Sequence, residues 1–250
     1  MRLDDVSPET LSGGFAPSPS PGPDSAYWSF YEEVAAAQVA AWAPEQPARV
    51  LDLSGGSRFA GQLADLGHDV LHVGPSPTGR GLTAVLADPR ALGWLRDGSV
   101  DAVLAEAQLL SMCLAAEVTV EDLLRVLRPG GRLLLVVDSL LLGLARLADQ
   151  GRWAELADVP AADVVLVTAA DGTISRCFSP TELRALLTAA GFEVDWVRPR
   201  SVLAPSAVER ALAEDPAALP TLVRSELALS QEREGESTGN HLVVSARRPD

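Results

Sequence analysis

Residues 49–79, RVLDLSGGSRFAGQLADLGHDVLHVGPSPTG, constrain this chain more than any other stretch. A short apolar run ends in a turn of small residues. A segment with helical spacing follows, and then a second apolar run. Short apolar runs bounded by turn signals read as buried strands. Two of them joined through a helix make a βαβ unit, whose strands must be parallel. In such sheets ligands lie over the carboxyl ends of the strands. A Gly-rich turn there lets backbone N–H groups approach a ligand, and the helix start behind it favours an anion. The segment is therefore the first unit of a nucleotide-binding α/β fold.

The rest of the chain continues the pattern. Further apolar runs fall at Thr83–Ala87, Asp101–Ala105, Arg132–Val137, Glu193–Val197 and His241–Ala246, after Arg49–Leu53 and Asp69–Val73. Seven strands with helices between the early ones predict an α/β, Rossmann-like, mostly parallel sheet covered on both faces. Residues 26–43, aromatic at their start, read as an amphipathic helix. LRPGG at 127–131 reads as a helix end and a turn into strand five. Ser179-Pro180-Thr181-Glu182 fits a capping box, and the helix it opens is expected to stop at Gly191. The segment 141–156 reads as a helix, followed by a strand-like apolar run. Residues 1–24, rich in Pro, Gly and Ser, are expected to be a disordered tail. One domain then spans 25–250, with insertions near 138–178 and 203–238 that shape a pocket or a dimer contact. The Leu-rich stretch 139–147 suits a homodimer interface as well as it suits core.

Charge and composition exclude several classes. The net charge is −14, every one of the 20 basic residues is Arg, and an acidic chain is repelled by nucleic-acid backbones. Two cysteines, Cys113 and Cys177, suit neither a disulfide scaffold nor a metal site, and read as packed thiols in a cytoplasmic protein. No basic start precedes an apolar core as in a signal peptide. The longest apolar run, near Leu133 to Leu147, is interrupted by Asp138 and Gly143, so no membrane span is expected. Abundant Ala, Leu, Arg and Pro suggest a bacterial, high-GC source.

Four segments in order resemble class I S-adenosylmethionine (SAM)-dependent methyltransferases, over roughly residues 26–200. They are VLDLSGGS at 50–57, VLADP at 85–89, DGSVDAVLAEAQLL at 97–110, and LLRVLRPGGRLLLVV at 123–137 with FSPTELRALLTAAGFEV at 178–194. No one segment is specific, but the order and spacing are. The resemblance implies SAM as cofactor and a small-molecule acceptor. It implies that Asp52, Ser54, Gly55 and Gly56 hold the methionine end, that Asp88 receives the adenine amine, and that Tyr27, Trp28 and Tyr31 close as a lid. Glu106, at the exit of strand four, and His72 are the candidates for a general base or for orienting the acceptor.

The chain departs from the family at three positions. Ser54 and Arg58 stand where the family's loop carries glycines, and Gly74 stands where an acid binds the ribose hydroxyls. Arg58 either obstructs the methionine tail or pairs with its carboxylate. Two charge-assisted hydrogen bonds, at ~1.5–3 kcal/mol each, are lost with the ribose acid unless His72, Ser76 or the lid compensates. The expected function is methyl transfer to an N, O or C nucleophile of a small molecule. The alternative is a catalytically silent binding or regulatory protein of the same fold. A dinucleotide oxidoreductase is disfavoured by the missing G-x-G-x-x-G spacing. Several residues also have plainer readings. Asp52 and Asp88 suit turns, Tyr27 and Tyr31 suit core packing, and His68 and His241 read as surface residues.

Overall fold

The computed structural model describes residues 25–55, 57–74, 82–159, 164–168 and 172–250. The expected N-terminal tail, Gly56 and Ser76 lie outside them. Helix α1 (Ala26–Trp42) precedes strand β1 (Arg49–Asp52), helix α2 (Ser57–Asp65), β2 (Asp69–Gly74) and β3 (Thr83–Leu86). Strand β4 (Val100–Ala105), α3 (Ala116–Val126) and β5 (Leu127–Asp138) follow. Then come α4 (Leu140–Asp149), α5 (Trp153–Asp158), β6 (Val164–Thr168), β7 (Ile174–Phe178) and α6 (Pro180–Ala190). The chain finishes with β8 (Glu193–Arg200), α7 (Pro205–Glu214), α8 (Leu219–Glu232) and β9 (His241–Arg247).

The main sheet has seven strands in the order β3-β2-β1-β4-β5-β9-β8. The first five are parallel, and β9 runs antiparallel to both β5 and β8. All seven expected strands are present. The order reverses between β1 and β4, which opens a crevice at their carboxyl ends. Strands β1, β4, β5 and β9 are buried on both faces, which is why they read as continuous apolar runs rather than alternating ones. One core lies beneath α3 and α6, and a second packs the sheet's other face against α1 and α2.

Local chemistry sets the ends. Ser179 Oγ accepts from the Glu182 backbone N–H at 3.1 Å, Pro180 opens α6, and Gly191 closes it at φ 106°. Strand β5 begins earlier than expected. Leu127 already pairs with Val100, and the left-handed Gly130 (φ 71°) sits within an irregular register instead of in a separate turn. The single helix expected over 141–156 is two, because Gly151 breaks it at φ 67°. The apolar run after it folds back as the β6–β7 hairpin, and α4 packs on that hairpin through Leu144 and Leu147. Cys113 and Cys177 are buried free thiols, and burial pushes Cys177 up to about 12. Among the described residues no helix is long and apolar enough to cross a membrane, and no cluster of side chains could hold a metal ion.

Candidate functional site

The carboxyl edge of β1, β2 and β4 gathers most of the residues singled out in the sequence. Asp52 ends β1 and is fully buried. Its Oδ1 accepts from the Ser54 backbone N–H (3.1 Å), and its Oδ2 lies 2.7 Å from His72 Nδ1 on β2. His72 is 1% exposed, so the pair lies beneath the turn and away from its surface. Asp52 and His72 are register partners on adjacent parallel strands, which brings their side chains to the same face.

This pair explains the departure at Gly74. A Cβ at position 74 would stand 3.0 Å from His72 Nε2. An acid there and a histidine at 72 compete for one space.

Ser54 replaces a family glycine and gains a use: its Oγ accepts from the Glu106 backbone N–H at 3.4 Å, tying the β1 turn to the β4 exit. Gly55 is exposed in the left-handed region at φ 74°, and a Cβ there would stand 3.8 Å from Ala107 Cβ. Arg58 turns to helix α1, where its guanidinium pairs with Glu32 and, at 3.0 Å, with Glu33. The charge of that guanidinium is therefore already matched. Asp88 caps its own turn, accepting from the Arg90 backbone at 2.9 Å and from its guanidinium at 2.8 Å, which holds its carboxyl below the usual range. It stays about half exposed on the rim beyond β3.

Glu106 sits at the exit of β4 as expected, but its carboxylate is not free. Arg200, at the end of β8 and 0% exposed, donates to both its oxygens, at 2.7 and 2.8 Å. Arg200 Nε donates to Gln38 of α1 at 2.6 Å, and its guanidinium stacks 5.4 Å from the Tyr31 ring centre. A bidentate buried pair of this kind fixes both partners in place.

Tyr27 and Tyr31 are core residues, not a free lid. Both are buried against α7 and α8, with Tyr27 donating to Ser201 Oγ at 2.8 Å. Burial pushes the Tyr27 hydroxyl up to about 12 and raises Tyr31 as well. Trp28, their neighbour, faces the cavities described below. The two histidines read as surface residues are not on the surface. His68 is buried with its Nδ1 accepting from Ala48 N–H at 3.3 Å, and burial lowers its pKa. The His241 side chain is 12% exposed.

His241 belongs to a polar cluster that sequence reasoning missed. Asp138 at the end of β5, His241 at the start of β9 and Arg200 on β8 are register neighbours across three strands. Asp138 Oδ2 accepts from Ser175 Oγ at 2.6 Å and from Arg146 Nη1 at 2.7 Å. His241 Nε2 faces Asp138 Oδ1 at 3.7 Å, and its ring meets Tyr31 edge-on at 5.3 Å between centres. The one sequence signal for this cluster is charge closing an apolar strand: Asp138 after LLLVV, and Arg200 at the end of VDWVRPR. Two cavities, of about 500 and 740 Å³, open beside the cluster and share Trp28, Arg146 and His241.

Residues 51–135 match the family model described as a methyltransferase domain. The matched segment runs from β1 into β5 of the main sheet. The solved structures the chain resembles include a Burkholderia thailandensis 1,6-didemethyltoxoflavin-N1-methyltransferase with its substrate and S-adenosylhomocysteine bound. That likeness is at 19% identity and TM-score 0.56, over 89% of this chain and 81% of that one. An S-adenosylmethionine-dependent methyltransferase from Mesorhizobium loti is similar at 17% identity and TM-score 0.55, over 85% and 96%. The 4+2 cyclase SpnF is similar at 18% identity and TM-score 0.50, over 86% and 80%. No curated protein matches the chain in sequence.

Proposed function

We propose that this chain transfers a methyl group from SAM to an N, O or C nucleophile of a small molecule. One observation carries the reading. Ser54, on the turn after β1, accepts from the Glu106 backbone N–H, and Gln108, two residues beyond Glu106, lines the 500 Å³ cavity. A cofactor cradle and an acceptor-sized space thus adjoin at the carboxyl edge of the sheet.

The residues suit the two ends of the cofactor. Ser54 and Gly55, at the start of α2, would take the methionine end, with Asp52 behind them and oriented by His72. Asp88, half exposed on the rim, would accept the adenine amine with lone pairs left over from Arg90. No carboxylate stands at Gly74 for the ribose. SAM brings an already activated methyl group, so the protein's part is alignment and exclusion of water. Glu106 is bound on both oxygens, so in this reading it is a positioning residue that fixes Arg200 against Gln38 and Tyr31 of α1. His72, buried against Asp52, positions that carboxylate and is not the base.

A second reading has its own support. Asp52 is covered by His72 and the ribose acid is gone, which suits a fold kept to bind a ligand or partner without methyl transfer. The 4+2 cyclase among its structural neighbours shows that the architecture hosts other chemistry. Calorimetric titration with SAM and S-adenosylhomocysteine separates the two. Micromolar binding supports methyl transfer. Silence at millimolar ligand sinks it and leaves the binding protein.

A further inference from the structure

The end of the sheet away from the candidate site carries a cavity of its own, of about 310 Å³. Asp138 and His241 pair at one end of the β5–β9 ladder, and Arg132 and Arg247 at the other. The cavity lies towards the Arg132 end, between α1 and α8. Ala37 and Trp42 of α1, Leu227 of α8 and Trp196 of β8 give it apolar walls. Its charged residues are Arg132 and Arg198, and no carboxylate among the described residues lines it. That is a cationic pocket in a chain of net charge −14.

The two arginines differ. Arg198 is already matched: it lies 4.4 Å over the Trp196 ring centre and pairs with Glu234 at 3.1 Å. Arg247, the register partner of Arg132, is matched too, by Asp195 at 2.8 Å and Glu193 at 3.7 Å. Arg132 has no carboxylate partner among the described residues. Its one hydrogen bond runs from Nη1 to the carbonyl of Trp42, the last residue of α1, at 3.0 Å. The carbonyl end of a helix offsets only about half a positive charge. Nε and Nη2 are left without a protein partner, and neither is sealed from water. These two nitrogens form one edge of the guanidinium, the fork that a carboxylate takes with both oxygens.

We propose that this cavity binds a small monocarboxylate with a compact apolar body. The carboxylate sits on the Nε–Nη2 edge of Arg132, and the body lies among the apolar walls that α1 and α8 supply. One guanidinium among apolar walls does not replace the hydration of a bare inorganic anion, so the apolar body is part of the recognition. The volume is at the small end of the range for ligand sites. The cavity and the cofactor turn lie at opposite ends of the strands, so this ligand is neither the cofactor nor the methyl acceptor.

The test uses the full chain without cofactor, so its result does not depend on whether SAM binds. The wild type is titrated by calorimetry with 3-phenylpropanoate, 3-phenylpropanamide, 3-phenylpropylammonium and inorganic phosphate. The carboxylate should bind best, with its neutral amide about tenfold weaker or more, the loss of a charge-assisted pair of hydrogen bonds. Arg132→Met, checked for cooperative unfolding, should bring acid and amide to equal affinity. Ala37→Phe, which fills the cavity and leaves Arg132 in place, should abolish binding of both. Equal binding of acid and amide by the wild type, a preference for the ammonium or for bare phosphate, or no binding of any probe overturns the assignment. So does a preference for the acid that survives either substitution. The wild-type series and Ala37→Phe stand even if Arg132→Met fails to fold.

Discussion

The Glu106–Arg200 pair allows the sharpest test of how this edge of the sheet is held together. Arg200 is 0% exposed and the Glu106 side chain 3% exposed, so neither charge has water to fall back on. Arg200→Met removes the guanidinium, leaves a buried carboxylate unpaired and strips Gln38 of its partner. Breaking a buried pair from one side costs ~3–5 kcal/mol. Native domains have ~5–15 kcal/mol in total, so this single change removes a third or more of the stability of many domains. At ~2–4 °C per kcal/mol for a chain of this size, the melting temperature should fall by about 10 °C. Replacing both partners, as Glu106→Leu with Arg200→Met, leaves no orphan charge. That double variant should be more stable than Arg200→Met alone, because apolar replacement of a whole buried pair is often neutral or favourable. Urea unfolding of the wild type, the two single variants and the double variant gives the coupling energy, expected to exceed ~2 kcal/mol. Additive losses, within ~0.5 kcal/mol, would refute the account. So would an Arg200→Met variant less than ~1 kcal/mol below wild type.

Three other outcomes follow from particular contacts. Gly74→Asp alone should not improve S-adenosylhomocysteine binding, since its Cβ meets His72 Nε2 at 3.0 Å; with His72→Gly added, calorimetry should show affinity rising by about tenfold or more. Fully buried Glu226 accepts from the backbone N–H groups of Val202 and Leu203, each at 2.9 Å, and so anchors the turn after β8. Glu226→Ala orphans both donors and should cost ~2–4 kcal/mol in urea unfolding, and Glu226→Gln, which keeps an acceptor, distinctly less. His241 titrates near 4 in the fold but near 6.5 when unfolded, so acid gives the unfolded chain a proton that the fold refuses. Its contribution to stability is complete above pH 6.5 and is lost as pH falls through 4, by roughly 3 kcal/mol in all. Melting curves of wild type and His241→Asn should therefore converge across that window.

The sheet was legible because its signal is periodic and local. Runs such as Arg49–Leu53 and Asp101–Ala105 are buried on both faces, and nothing but a covered parallel sheet accepts them. The Ser179 cap and the Gly191 stop were equally local. The site was legible only where it lies on one segment. Asp52, Ser54 and Gly55 fall on one turn, and Gly74 stands out against a known pattern. That His72 pairs with Asp52 depends on two strands being in register, which no single stretch encodes. Arg200 and His241 escaped for the same reason. Each looks like a polar residue at a strand end until pairing through β9 brings one to Glu106 and the other to Asp138. The tyrosines show the reverse. Their near-helical spacing allowed both lid and core, and the packing of α7 and α8, far along the chain, decided for core.

Strand β9 has a consequence for how the molecule is made. It is the last strand in sequence, yet it lies inside the sheet, bonded along its length to β5 on one side and to the edge strand β8 on the other. Until residues 241–247 have emerged from the ribosome, the apolar flank of β5 has no neighbour, and β8 has nothing to join. The nascent chain must hold an open, sticky edge through two long helices, α7 and α8, before it can close. During synthesis this edge is the place for a chaperone to bind or for two half-made chains to stick together. Because β9 also delivers His241 and aligns Arg200, the chain has no intermediate stage with a working pocket and an unfinished sheet.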